Sequence, residues 1–186
     1  MGGEIKVESA GSIQAMIDAA KEGYERTKTY YEVQLEKIVR QIEKIKGYLE
    51  KYEAKLQKAL AELGRCQQEI AQTEIELAQA RQAQASAAGK EGDANLRSSL
   101  ADLQVAELER RLAELHARKE TLKGQCDYLR QVVGQCKEQL AAALAMKKDW
   151  EDRGREALER TRRASEHQQE IGSRQLAALA GRPSGR

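Results

Sequence analysis

From Leu35 to Ala80 an apolar or small residue returns every three or four positions without a break. Calling Leu35 an a position, the a residues are Leu35, Ile42, Leu49, Leu56, Leu63, Ile70 and Leu77. The d residues are Ile38, Ile45, Tyr52, Ala59, Cys66, Thr73 and Ala80. Such a stripe lies on one side of a helix, and water penalises it unless a second helix covers it. The repeat therefore predicts a coiled coil and leaves one question, which is where the covering helix comes from.

The chain supplies it. After "ASAAGKEGDANLRSS" (85–99) a second repeat begins, with Val105, Leu112, Lys119, Cys126, Val133 and Leu140 at a. Leu108, Leu115, Leu122, Leu129, Cys136, Ala143 and Trp150 take d. Gly89 suits the end of one helix, and Asp93 or Asn95 the cap of the next. Leu96, Leu100 and Leu103 fall outside this phase, so a stutter is expected just after the turn. Upstream, Ile17, Tyr24 and Tyr31 keep d while Lys21 and Lys28 occupy a, which loosens the seam. Past Trp150 it thins through Gly154, Ala157, Thr161 and Ala164.

The fold class that follows is all-α, a long antiparallel two-helix coiled-coil hairpin. Its expected parts are a flexible N-terminal segment (1–11), a first arm (12–88), a turn (89–95), a second arm (96–180) and a disordered tail (181–186). Arms of this length span on the order of 110 to 125 Å. Two registers let a face d, with paired numbers totalling about 178 or about 185. The second is preferred, because Leu35 then meets Trp150 and Tyr31 packs over Gly154.

Composition fits this and little else. Aromatic residues are 4%, Phe is absent, charged residues are 33%, and the single proline is Pro183, so nothing upstream breaks a helix. The net charge of +2 sets up no field that would draw the chain onto nucleic acid or membrane. No apolar run approaches the roughly 20 residues of a transmembrane helix. The N-terminal "MGGEIKVESAGS" has no basic segment leading into an apolar core, so a cleaved signal is not expected and a cytoplasmic location is.

Residues that could carry chemistry are few. Cys66, Cys126 and Cys136 all fall at a or d, where Cys acts as a small hydrophobe. Cys126 and Cys136 lie about 15 Å apart along a helix, too far for a disulfide. Neither CxxC nor HxxxH spacing occurs, and His116 and His167 have no cavity to work in. No catalytic residue, metal or cofactor is expected, and the chain reads as non-enzymatic. "RGREALERTRR" (153–163) is rich in Arg, but Glu156 and Glu159 interleave as on a solvated helix face.

The sharper signal lies beside the seam. Val39 and Leu144 are both at e, roughly opposite one another, and Tyr48 and Val132 at g match them on the other side. With the aromatic end around Tyr30, they widen the stripe beyond what one helix covers and are the expected partner-binding residues.

The second arm, "LRQVVGQCKEQLAAALAMKKDWEDRGREALERTRRASEHQQEIGSRQLAAL" (129–179), resembles the central-stalk proteins of flagellar and type III secretion export gates (the FliJ/YscO family) in its leucine, Cys136 and Lys147–Lys148 spacing. The resemblance implies a non-enzymatic stalk, seated in a hexameric ATPase ring and reaching the export gate. Two other readings stay open. One is a self-assembling coiled-coil scaffold, with the oligomeric state undecided; the other is a nucleic-acid or membrane-surface binder using the Arg-rich end.

Overall fold

Two helices account for the described residues. In the computed structural model, which describes residues 2–87 and 94–181, α1 runs Gly2–Ala87 and α2 runs Ala94–Gly181. They pack against each other, and the fold is an all-α helical hairpin. Continuity follows from composition: Ala, Glu, Gln, Lys, Arg and Leu favour helix, and an isolated glycine costs only about 1 kcal/mol. α1 starts at Gly2, so residues 2–11, expected as a flexible lead-in, are helical. Asn95, proposed as a cap, lies inside α2. Gly89, Asp93 and the tail 182–186 lie outside the described residues.

The chain divides into two compact units. Unit one joins Met1–Ile45 to Gln139–Arg186, and unit two is Lys46–Glu138. In unit two, Cys66 and Ile70 of α1 form a core with Leu115 and Leu122 of α2, with Leu63 and Leu112 against it. Leu77 and Ala80 pack with Val105 and Leu108 in a second cluster. Thr73 is buried as well, and its hydroxyl donates to the Glu69 carbonyl at 2.7 Å, so the seam carries no orphaned donor there. In unit one, Ile38 and Ile42 share a core with Ala143, bordered by Ile45, Leu140 and Trp150.

These groupings fix the register near 185. Ile42 with Ala143, Ile45 with Leu140, and Leu77 with Leu108 are the pairs that register brings together. Gly154 settles it for unit one: a Cβ there would lie 3.0 Å from Cδ1 of Tyr31. The ring sits in the hole that the missing side chain leaves.

The heptad fails in two places, and a third, expected break does not occur. Lys21 and Lys28 are exposed, and Ala20 and Thr27 are half-buried in their stead. Burying two ammonium groups costs more than rotating the seam by one position, and small residues stand ready to take it. On α2, Ala164 is exposed while Ser165 and Gly172 are buried, so the contact slips from d toward e beyond Thr161. This is the drift of a straight helix against a strict seven-residue repeat. Near the start of α2, Leu100 and Leu103 are 59% and 67% exposed, so the expected stutter does not bring them into the core that Val105 and Leu108 occupy.

Candidate partner-docking surface

A two-helix seam consumes the a and d side chains, so a surface for another molecule must be built from what flanks them. Val39 is half-buried and Leu144 is 44% exposed, both in unit one. In unit two Tyr48 is 58% exposed, while Val132 is half-buried. Each pair thus offers one recessed and one accessible side chain beside the core.

Tyr30 is built into something larger. Its ring stands edge-on to Tyr31 with centroids 5.4 Å apart, and both rings lie against Trp150, at 6.2 and 5.8 Å. Trp150 borders the Ile38 core, so the aromatic trio caps that core, and Tyr30 stays half in water. Aromatic pairs at these separations add about 0.5 to 1.5 kcal/mol beyond area burial, which makes the trio a firm element rather than a loose patch.

The seam slip opens a feature that flanking-position arithmetic misses. Because α1 contacts α2 through Ser165 and Gly172 instead of Ala164 and Ile171, the latter pair turn outward. A groove of about 410 Å³ lies between Met16, Ala19, Ala20 and Gly23 of α1 and Thr161, Ala164, Ser165 and Gln168 of α2. The residues alone could have shown it: Lys21 and Lys28 at nominal a positions, with Ala20 and Thr27 beside them, mark where the phase must change.

Comparison with protein families, with curated proteins and with solved structures finds no match.

Charge on this part of α2 is locally balanced. Arg162 holds Glu159 at 2.9 Å and Glu166 at 3.5 Å, and Arg163 holds Glu159 at 3.0 Å. The Arg162 hydrogen bond pulls the Glu159 carboxyl below its ordinary range, and the same bond raises Arg162. Arg153 and Arg155 pair with Asp149 and Asp152. A guanidinium already holding a carboxylate is less available to phosphate, which weakens the nucleic-acid and membrane readings of the Arg-rich stretch.

The cysteines are free thiols, with Cys66 and Cys126 buried and Cys136 half-buried. The Cys66 thiol donates to the Leu115 carbonyl across the hairpin at 3.4 Å, a contact that joins the two helices. Among the described residues no group of three or more His, Cys, Asp or Glu side chains is placed to hold a metal ion. No helix there is long and apolar enough to cross a membrane.

Proposed function

We propose that the protein is a non-enzymatic coiled-coil adaptor or structural component of a larger cytoplasmic assembly, and in its most specific form an export stalk working with a hexameric ATPase ring. The observation that supports an adaptor is the set of large apolar side chains left in water outside the committed seam: Met16, Tyr30, Val33 and Leu144 in unit one, and Tyr48 and Tyr128 in unit two. An isolated hairpin gains nothing from exposing them, whereas a docked one buries them. The stalk version adds the resemblance of residues 129–179 to its support.

A direct test titrates the chain into a purified hexameric ATPase of an export apparatus. Saturable binding is expected, and absence of binding would sink the stalk version. Val39→Asp with Leu144→Asp places carboxylates on the flank while sparing the seam interior. Burying unpaired charges in an apolar contact costs several kcal/mol, so affinity should fall at least about a hundredfold with helicity retained. Wild-type affinity in that double variant would move the docking face elsewhere.

A further inference from the structure

A net charge of +2 averages over a chain whose cations are not spread evenly. In unit two, Lys51, Lys55 and Lys58 follow one another on α1 at spacings of four and three, which stacks three ammonium groups on one face. All three are exposed, and none holds an ion pair among the described residues. Like charges at these spacings weaken a helix. Arg110 and Arg162, by contrast, have carboxylates at the same spacings on both sides, Glu107 with Glu114 and Glu159 with Glu166. A local preference broken with no return in packing points to a function served there. In the sequence the same spacing runs back through Tyr48, Lys44, Arg40 and Lys37.

Carboxylates gather on the opposite flank of unit two. Glu53 holds Lys137 at 3.9 Å, and Glu50 and Glu53 line one depression with Val133 and Lys137. Asp127 is tied to Arg130 at 3.7 Å. On the lysine flank, Tyr48 and Lys55 take g of α1, and Gln125, Tyr128 and Val132 take g or c of α2, none of them acidic. Glu62 ends the stripe. Tyr48 and Tyr128 are both exposed. The Lys55 ammonium lies 5.2 Å from the ring centre of Tyr52, which holds it on this side.

We infer that this face of unit two binds single-stranded nucleic acid, with phosphates on Lys51, Lys55 and Lys58 and bases stacked on Tyr48 and Tyr128. A partner helix would need an aliphatic row to cover, and the positions beside the lysines are Gly47, Ala54 and Ala61. A membrane surface calls for aliphatic side chains to insert. A duplex keeps its bases inside and leaves both tyrosines unused. A single strand offers a line of phosphates together with free aromatic faces. The face lies in the other unit from the Arg-rich stretch 153–163, and it is independent of the adaptor reading.

Fluorescence anisotropy of a labelled thymidine oligomer of about 15 nucleotides against the full chain tests this. Saturable binding is expected at low salt. The logarithm of Kd should rise with the logarithm of salt at a slope of about 2, since three phosphates contribute about 0.7 each. Lys51→Gln with Lys58→Gln removes two cations from a helix that Gln also favours. Affinity should then fall at least about tenfold, and the slope to about 0.7. Tyr48→Ala with Tyr128→Ala should weaken binding at least about tenfold and leave the slope unchanged. Lys46→Gln with Lys123→Gln, at e on the opposite flank, should change affinity less than about threefold. All of these positions are exposed, so circular dichroism should show the helices intact in every variant.

Absence of saturable binding, equal losses in the two lysine variants, an unaffected tyrosine variant, or a duplex of the same length bound as tightly would overturn the inference. So would tighter binding to vesicles of phosphatidylcholine with about 30% phosphatidylserine, since a lipid surface would then be what the lysines meet.

Discussion

Glycine has two opposite meanings in this chain. Gly172 is a socket: a Cβ there would lie 2.7 Å from both Cγ1 and Cδ1 of Ile17 and 3.4 Å from Ile13. Ile17 is itself buried, so its side chain has nowhere to go. Gly47 and Gly124 stand in helix interiors with open space around the missing Cβ. Helix propensity favours alanine at all of these positions by about 0.5 to 1 kcal/mol, and packing decides the sign. Gly47→Ala and Gly124→Ala should each raise stability by that amount in urea unfolding. Gly172→Ala should lower it by about 1 to 3 kcal/mol, the range of an overpacked core. A stabilised Gly172→Ala would show that Ile17 does not hold the position described.

At the scale of the helix the issue is phase. Between Leu35 and Ala80 every nominal a and d residue is buried or half-buried, as the repeat requires, and the register near 185 follows from Tyr31 and Gly154. Large apolar residues at successive a positions pin the phase there, so that part of the fold could be read directly from the residues. From Gln14 to Tyr31 and above Thr161 the a positions of the described residues hold only Lys and Gln, so d residues such as Ile17 and Tyr24 pin one edge of the seam alone, and extrapolating the heptad assigns Lys21 and Lys28 to a core they do not enter. The groove of unit one lies in that region, so spacing alone points to the flanking positions Val39 and Leu144, whereas the Ala20–Ala164 groove shows in the residues only through the break in phase at Lys21 and Lys28. If the phase is as observed, Lys21→Leu and Lys28→Leu exchange one exposed side chain for another. Each should change stability by no more than about 0.5 kcal/mol. A rise in melting temperature of the size expected for filling a core a position would restore the heptad assignment.

For the molecule as a whole, the question is whether charge or apolar burial keeps the helices together. One third of the residues are charged, and ion pairs are numerous, yet most join residues three or four apart on one helix. Among the described residues the pairs that cross from α1 to α2 are Arg81–Glu109 at 3.0 Å and Lys137–Glu53 at 3.9 Å, both in unit two and both well exposed. Exposed pairs contribute about 0 to 1 kcal/mol, whereas one buried Leu or Ile side chain contributes about 1.5 to 3. Raising NaCl from about 0.05 to about 0.5 M shortens the screening length severalfold, and the melting temperature should nevertheless move by less than about 3 °C. A fall of more than about 10 °C would mean that charge pairing holds the helices together.

Trp150 is the only tryptophan in the chain, and it lies against Tyr30 and Tyr31 beside the Ile38 core of unit one. Tyrosines this close pass their excitation energy to the indole, and the indole's emission colour follows how much water reaches it. Unit one therefore carries its own optical gauge, with no label to attach. Light absorbed by Tyr30 and Tyr31 and re-emitted by Trp150 reports whether that end is zipped, and a helix settling near Tyr30 would shift the same signal.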